Sequence, residues 1–286
     1  MNIHKIKIGI LLSLTIITCI VWYIVFHRPH SGALTVAMLN IGQGDAIFVE
    51  SPTGKQILID SGPDTSVLRE LSAVMPFYDK TIDLLIVTNP DRDHMAGFIP
   101  VIERFSIGAV LESGTTNDSE IYRTLEDSID RHNVKKIVAE RGMVFDIGGG
   151  ASLTILFPDR DVHAIDRNPG SIVARLSYGA TSYMLTGDST QEVEEYLVSL
   201  DGDSLRSDIL KVGHHGSRTS TGKMFLDKVK PAYALISAGE GNSYGHPHKE
   251  TLEILKNAGI ETYITFRDGR ILTRSDGHII TFRLDK

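Results

Sequence analysis

Acidic and imidazole side chains cluster directly after an apolar run in this sequence. Segment 88–94 (TNPDRDH) follows segment 84–87 (LLIV), a run typical of a buried strand. Asp91, Asp93 and His94 are residue types that bind divalent metal ions, and α/β sheets usually keep their chemistry at the carboxyl ends of strands. An Asx-rich turn that caps a helix would give the same pattern. A metal site therefore requires further ligands from other parts of the chain.

Similar polar groups follow other predicted strands. They are Gln43, Gly44 and Asp45 in a glycine-rich turn, Asp60 after strand 55–60, Asp188 after hairpin 171–185, and His214, His215 and Ser217 after strand 207–212. Loop 239–248 adds His246 and His248. Two carboxylates and two imidazoles, with one position left for water, can form a catalytic site for Zn²⁺ or Mn²⁺. A Rossmann dinucleotide site is disfavoured, because a strand is predicted after the Gly-x-Gly turn.

These residues need a sheet-based scaffold to bring them together. Segments 82–114 and 208–239 follow one plan: a strand, a loop with ligand residue types, a helix, and a strand that ends in a small-residue turn. We interpret this as a weak internal duplication, which predicts an α/β fold, an αββα four-layer sandwich over about residues 33–286. A single amphipathic helix is predicted at 95–105. Segment 261–284 alternates in three short runs with Asp-Gly turns, which predicts a C-terminal β-meander.

The N-terminal residues predict one transmembrane helix. Ile8 to Phe26 is a run of 19 residues without a charge, close to the roughly 20 that span a bilayer as a helix. Lys5 and Lys7 precede it, so the positive-inside rule favours a cytoplasmic N-terminus and a body outside the cytoplasm. A cleaved signal peptide is the alternative, but its apolar region usually has about 7–15 residues. We predict a membrane anchor and linker over residues 1–32 and one globular domain over residues 33–286.

The composition is that of a globular protein with an acidic body. Hydrophobic residues make up 42% of the 286 residues and charged residues 23%, which is enough to bury a core. Beyond residue 30, 26 Lys and Arg stand against 36 Asp and Glu, a net charge of −10. This argues against tight, sequence-blind binding of nucleic acid but not against a local basic groove. Cys19 is the only cysteine, so a disulfide framework and a thiolate metal site are excluded.

The motifs occur in the order of a known family. They are NIGQGDA at 40–46, LIDSG at 58–62, NPDRDHMAG at 89–97, LTGD at 185–188, LKVGHHGS at 210–217 and YGHPH at 244–248. On these six motifs the chain resembles the metallo-β-lactamase superfamily, and within it the extracytoplasmic hydrolase domain of ComEC-type competence proteins. The resemblance does not extend to their polytopic channel, so we expect a stand-alone hydrolase module behind a single anchor.

The resemblance implies two metal positions and exposes one departure. Asn89 stands where the family has a histidine, and its amide oxygen is a poor replacement for imidazole, so the first position should be weakened. Asp91, the bridging Asp188 and, as a further candidate, the loop at 168–171 are left to hold that ion. The second position is complete, with Asp93, His94, Asp188 and one of His214 or His215. We expect one or two divalent ions, Zn²⁺ or Mn²⁺, that lower the pKa of a bound water and polarise a phosphoryl or carbonyl oxygen.

Residues around the two positions are expected to support catalysis. Asp91 or Asp60 can orient the water or the ligand imidazoles, and Asp93 is both ligand and catalytic residue. His246 or His248 can donate a proton to the leaving oxygen or hold an anionic substrate. The floor of the site is expected to be shaped by Gln43, Gly44, Asp45, Asp60 and Ser217.

The leading hypothesis is a membrane-anchored, metal-dependent hydrolase of phosphodiester or other ester bonds. The resemblance implies DNA as the substrate, whereas the acidic body leaves small phosphodiesters and nucleotides open. The alternative is a catalytically impaired module that binds a metal or a ligand, since Asn89 can mark a loss of catalysis. A β-lactamase is disfavoured by the details of the motifs.

Overall fold

The computed structural model describes residues 3–26 and 32–286, and it divides the chain into two units, Met1–Ser31 and Gly32–Lys286. In the first unit, helix α1 covers Ile3–Phe26. Its stretch Ile3–Tyr23 has a mean hydropathy of 2.0, so by length and composition the helix is a candidate membrane span. The predicted linker at residues 28–31 lies outside the described residues.

The second unit contains two mixed sheets. The first has the strand order β15-β14-β1-β2-β3-β4-β5-β6 and the second β13-β12-β11-β10-β9-β8-β7. The strands of the first sheet are β1 (Leu34–Met38), β2 (Ile47–Glu50), β3 (Gln56–Ile59), β4 (Thr81–Val87), β5 (Ser106–Glu112), β6 (Lys135–Val138), β14 (Arg270–Ser275) and β15 (Ile280–Asp285). Those of the second are β7 (Val144–Gly148), β8 (Ala151–Phe157), β9 (Val173–Tyr178), β10 (Thr181–Leu185), β11 (Ile209–Lys211), β12 (Tyr233–Ile236) and β13 (Glu261–Ile264).

Helices cover the outer face of each sheet. Those described after α1 are α2 (Ser66–Val74), α3 (Arg92–Met95), α4 (Phe98–Ile102), α5 (Glu120–Arg131), α6 (Gln191–Asp201), α7 (Lys223–Val229), α8 (Lys249–Asn257) and α9 (Thr265–Asp268). One apolar core lies between the sheets, a second joins the first sheet to α2, α4 and α5, and a third joins the second sheet to α6, α7 and α8. This arrangement confirms the predicted αββα sandwich.

The central strands are apolar on both faces because both faces are covered. Along β4, Leu84 and Ile86 belong to the core between the sheets. The alternate residues Leu85 and Val87 pack with the helices, as the two-residue period of a strand requires. Strands β3 to β6 are parallel in the first sheet and β10 to β13 in the second. The two segments interpreted as a duplication thus occupy equivalent places in the two sheets.

Two sequence predictions were wrong in detail. The C-terminal β-meander does not form, because β13 pairs with β12 in the second sheet while β14 and β15 pair in the first. The Asp268-Gly269 turn is part of helix α9, where the Asp268 carboxylate accepts the Ile264 N–H at 2.8 Å, and the chain crosses between sheets there. The helix predicted at 95–105 is two short helices, α3 and α4, separated at Gly97, whose N–H donates to the Gly62 carbonyl.

Candidate metal centre

Ligands from both sheets meet at the carboxyl ends of their parallel strands. The loop after β4 runs into the short helix α3, which carries Asp93 and His94, the turn after β10 carries Asp188, and the loop after β11 carries His214 and His215. The carboxyl ends of parallel strands lie at one edge of their sheet, and these edges of the two sheets lie side by side. Residues far apart in sequence therefore converge.

Three imidazole nitrogens surround one carboxylate oxygen. The Nε2 atoms of His94, His215 and His214 lie 3.0, 3.6 and 3.7 Å from Asp188 Oδ2. Asp93 Oδ2 lies 3.4 Å from His215 Nε2. A tetrahedral ion at roughly 2.0–2.2 Å from its ligands separates those ligands by roughly 3.3–3.6 Å, close to the spacing seen here. Among the described residues, the buried His215 Nε2 has no hydrogen-bond partner, so this donor set fits a divalent ion.

A second group of residues contacts the Nδ1 atoms of the imidazoles, on the side of each ring away from Asp188. Asp60 Oδ2 lies 2.8 Å from His94 Nδ1, and Thr88 donates to both Asp60 oxygens, from Oγ1 at 2.6 Å and from N at 2.8 Å. The Ser237 carbonyl lies 3.1 Å from His215 Nδ1. With Nδ1 held in this way, the Nε2 atoms face Asp188 and Asp93, which is how proteins orient metal-binding histidines.

Asp45 belongs to this outer group although it lies close to the ligands. Potential ligand atoms of Asp45, His94, Asp188 and His215 all lie within 4.8 Å of one another. However, Asp45 faces the Nδ1 atoms, 4.0 Å away in His94 and 3.4 Å away in His215. A carboxylate behind the rings orients them rather than sharing an ion with their Nε2 atoms, so we assign Asp93 to the inner set and Asp45 to the outer set.

Lys211 is a site residue that the sequence analysis missed. It is 1% exposed, forms an ion pair with Asp45, and donates to the Gly187 carbonyl at 2.7 Å. Its Nζ lies 3.8 Å from Asp188 Oδ1. The available signal was a lysine at the end of an otherwise apolar strand, directly before the His214-His215 motif.

Carboxylates and cationic side chains pack together at the site and shift one another's pKa. Burial alone would raise the pKa of Asp93, but the neighbouring imidazoles of His215 and His94 lower it to about 2. Burial alone would lower the pKa of His215, but Asp188 and Asp45 raise it to about 10. Likewise, burial would raise the pKa of Asp188, and the neighbouring imidazoles hold it well below its usual range. The carboxylates are thus ionised and ready to bind a metal.

Backbone geometry presents the ligands. Asp60, His214 and His215 have φ values of 55°, 48° and 54°, left-handed conformations that are uncommon outside glycine and cluster at functional sites. At Gly44, a Cβ atom would lie 2.2 Å from the Asp93 carbonyl oxygen, so only glycine fits there. The glycine-rich turn therefore packs directly against the backbone of a ligand.

Asn89 and Asp91 are engaged in other contacts. The fully buried Asn89 accepts the Asp91 N–H at 2.8 Å and its amide nitrogen lies 3.4 Å from Ser171 Oγ, which is the Asx turn considered from sequence. The Asp91 carboxylate forms an ion pair with Arg167. The structure thus places the predicted first-position residues beside the inner set, with Asn89 shaping the loop that carries Asp93.

The other predicted residues lie around the ligands. The His246 ring centroid is 5.3 Å from that of His214 and 4.8 Å from that of His248. His248 Nδ1 accepts the Arg218 N–H at 3.1 Å. Gln43 Oε1 accepts the Gly239 N–H at 3.2 Å, and Ser217 is buried, with Oγ 2.9 Å from Thr219 Oγ1. Gln43 and Ser217 thus stabilise loops, while the histidine pair extends the site.

An open cleft of about 370 Å³ leads to the inner ligands. It is lined by Gln43, Asp91, Arg92, Asp93, Arg167, Asn168, Asp188, His214, His215, Tyr244 and His246. A second cleft of about 590 Å³ shares Asp91, Arg92 and Arg167 with the first. Two guanidinium groups therefore stand where the clefts meet, on an otherwise acidic body.

Comparison with known proteins identifies the family. Residues 39–240 match the model of the Metallo-beta-lactamase superfamily. ComE operon protein 3 of Bacillus subtilis is 30% identical over 301 residues, covering 99% of this chain and 38% of that protein. Competence protein ComA of Neisseria gonorrhoeae is 29% identical over 255 residues, covering 86% and 33%. The chain thus spans about a third of the length of these relatives.

Solved structures show the same fold. CmlA, a diiron β-hydroxylase from Streptomyces venezuelae, has a TM-score of 0.55 at 16% identity over 84% of this chain and 54% of its own. The metallo-beta-lactamase fold protein YhfI from Bacillus subtilis has a TM-score of 0.53 at 14% identity over 88% of this chain and 100% of its own. Together with the family match, they confirm the resemblance seen in the motifs. The chain belongs to the metallo-beta-lactamase superfamily.

Proposed function

We propose that this chain is a membrane-anchored, metal-dependent phosphodiesterase whose body lies outside the cytoplasm. One observation carries the proposal: the Nε2 atoms of three histidines converge on Asp188 beside an open cleft, with the Asp93 carboxylate next to His215 Nε2. A structural metal site is usually closed by protein ligands, whereas a catalytic site keeps an open position.

Asp93, His94, Asp188 and His215 would hold the ion, with His214 at the edge of the set. When bound, the ion acidifies a water molecule and polarises a phosphoryl oxygen. Asp60 and the Ser237 carbonyl keep the imidazoles of His94 and His215 oriented. In this arrangement the reacting phosphoryl group enters from the cleft.

His246 is better suited to holding substrate than to donating a proton. Burial and the neighbouring His214 and His215 lower the pKa of His246 to about 4, so its ring is neutral near pH 7. A neutral imidazole donates a hydrogen bond to a phosphoryl oxygen but has no proton in excess to transfer. This favours the substrate-holding role of the two considered for His246.

The cleft favours an anionic substrate over a neutral ester. Arg92 and Arg167 line both clefts, and guanidinium groups bind phosphate oxygens with paired hydrogen bonds. One of the relatives is named a competence protein, and the motif resemblance implies DNA as the substrate, so DNA is one phosphodiester to test. Small phosphodiesters and nucleotides remain equally compatible with a cleft of about 370 Å³.

Helix α1 supports the localisation. It is apolar over a length that spans a bilayer, and Lys5 and Lys7 at its start favour a cytoplasmic N-terminus. The full chain should remain in membranes washed with high salt, and protease added to spheroplasts should digest the body. Recovery of uncleaved full chain in the soluble fraction contradicts the anchor, and protection from protease contradicts the orientation.

Metal analysis of the purified full chain in detergent, with parallel assays, tests the activity. We expect at least one Zn²⁺ or Mn²⁺ per chain and EDTA-sensitive hydrolysis of bis-p-nitrophenyl phosphate, single-stranded DNA or both, with nitrocefin unaffected. Asp188→Asn is the matched control, since it changes one atom type at the centre of the ligand set. Turnover equal to that of the control refutes the phosphodiesterase.

A catalytically impaired metal- or ligand-binding module is the second candidate. The observation that favours it is Asn89, whose amide oxygen accepts the Asp91 N–H and so shapes the loop. This candidate predicts a bound ion in the wild type and hydrolysis no faster than that of Asp188→Asn. The same pair of measurements therefore separates the two functions.

A further inference from the structure

Lys211 introduces a fixed positive charge beneath the ligands. Its side chain is 2% exposed, and its Nζ contacts the Asp45 carboxylate and the Gly187 carbonyl. Asp188 Oδ1 is buried without a hydrogen-bond partner among the described residues and lies 3.8 Å from this ammonium group. One cation thus faces both the outer carboxylate Asp45 and the central ligand Asp188.

Buried lysine is unusual and needs a reason. Lys211 is the last residue of β11 and pairs with Leu185 at the end of β10, two residues before Gly187. Its bond to the Gly187 carbonyl therefore fixes the backbone that delivers Asp188. Within residues 32–286, no other lysine or arginine forms an ion pair with Asp45 or Asp188.

We propose that Lys211 is a positioning residue that keeps the ligand set assembled when no metal is bound. The inference rests on the proposed metal site. Asp45 and Asp188 are buried carboxylates with oxygen atoms within 4.8 Å of each other, and such groups repel each other unless cationic groups lie beside them. The imidazoles of His94 and His215 lie beside them too, but Lys211 is the group whose charge does not depend on a free ring nitrogen that the ion would occupy. The ammonium group balances them before the ion arrives, and a bound ion then adds to that balance at Asp188.

The proposal makes stability depend on Lys211 chiefly in the metal-free protein. Lys211→Met keeps an unbranched side chain one atom shorter and removes the charge. In EDTA we expect its melting temperature to fall by roughly 10 °C relative to the wild type, because removing one partner of a buried pair is strongly destabilising. With saturating Zn²⁺ or Mn²⁺ the difference in melting temperature between Lys211→Met and the wild type should be at most half as large, since the ion then balances the negative charge of Asp188.

Tyr183→Phe is the matched control for the loss of a buried polar contact. Tyr183 is fully buried in β10, and its hydroxyl contacts Thr273 Oγ1 at 3.1 Å, away from the ligands. The melting temperature of Tyr183→Phe should fall by the same amount in EDTA and with saturating Zn²⁺ or Mn²⁺. An equal loss for Lys211→Met in both conditions overturns the proposal, because it indicates a purely structural lysine.

A double variant covers the case in which Lys211→Met does not fold. Asp45→Asn/Lys211→Met removes both charges of the pair and should recover melting in EDTA relative to Lys211→Met alone. A double variant that is no more stable than the single one overturns the proposal. If metal leaves the wild-type melting temperature unchanged, the proposed metal function fails, while the comparison in EDTA still tests the charge pair.

Discussion

The loop after β4 and the loop after β11 each place a histidine beside Asp188, but the two histidines are oriented by different kinds of groups. Each delivers an imidazole Nε2 to Asp188 Oδ2, from His94 at 3.0 Å and from His215 at 3.6 Å. Asp45 faces both Nδ1 atoms, but the closest partner of Nδ1 is a side chain, Asp60, in the first loop and a backbone carbonyl, that of Ser237, in the second. Equivalent positions in two sheets therefore depend on different kinds of support.

The loops also differ in how their shape is set. Asn89 shapes the first through its side-chain bond to the Asp91 N–H. The second relies on left-handed backbone at His214, His215 and Gly216, with Gly216 packed against Pro247. One loop is thus sensitive to changes of side-chain chemistry, and the other to the addition of a single carbon atom.

A change at Asp188 removes a contact of both loops, because His94 and His215 both face its carboxylate. Asp188→Asn replaces the carboxylate shared by both imidazoles, so we expect metal content at background and hydrolysis slower by at least about 100-fold. Mutation of a residue that merely orients a ligand already costs about 10–100-fold in metal affinity or activity. Elemental analysis and the bis-p-nitrophenyl phosphate assay measure this. Wild-type metal content in the variant would place the site elsewhere.

The two orienting groups give the sharpest contrast. Asp60→Asn should weaken metal affinity by about 10–100-fold, because the carboxylate that holds His94 Nδ1 is lost. Ser237→Ala removes the hydroxyl that donates to the Gly44 carbonyl but keeps the carbonyl that faces His215, so affinity should change far less. Calorimetric titration with Zn²⁺ compares them. Equal effects would contradict the distinction between the loops.

Gly216→Ala should damage the second loop by crowding. A Cβ at Gly216 would lie 2.5 Å from Pro247 Cβ, at a φ of 85°. Gly245 is the matched control, since its φ is 73° and nothing lies within 4 Å of its Cβ position. Left-handed alanine alone costs of order 1–3 kcal/mol, so Gly245→Ala should fall in that range and Gly216→Ala beyond it in urea denaturation. Similar losses would indicate that Pro247 yields.

Asn89→Ala tests the first loop with a smaller change. Loss of the bond to the Asp91 N–H should cost about 1 kcal/mol in stability, as for other side chains that cap local backbone groups. We expect tight binding of one ion to persist, because Asp93 and His94 remain. Loss of that ion in a titration would show that Asn89 acts as a ligand.

A separate prediction concerns the pH dependence of Glu194, which supports the segment after the second loop. Its carboxyl faces the N–H groups of Thr221 and Gly222, and burial raises its pKa from 4.5 to about 8. The folded state therefore binds a proton more tightly than the unfolded state, so this contribution is present below pH 4.5 and is lost as pH rises towards 8. Glu194→Gln should flatten stability between these values in urea denaturation with EDTA. An unchanged slope would assign it to other groups.

The features that the sequence predicted are those set by local patterns of apolar and polar residues. The strand ends that carry Asp60, Asp93 and Asp188 follow clear apolar runs, so the sheet edge with the ligands could be foreseen. The roles of Lys211 and the Ser237 carbonyl could not, because they depend on contacts between segments distant in the chain. The path of the last strands failed for a similar reason: the Asp268-Gly269 pattern is the same for a hairpin turn and for a crossing between sheets.

The origin of the ligands in both sheets has a consequence for how the protein folds. His94 follows β4 of one sheet, whereas Asp188 and His215 follow β10 and β11 of the other. Contacts between such distant segments form late, because the chain must first close large loops. The donor set is therefore completed only when the two sheets have docked, so uptake of an ion during refolding should report the final step of assembly.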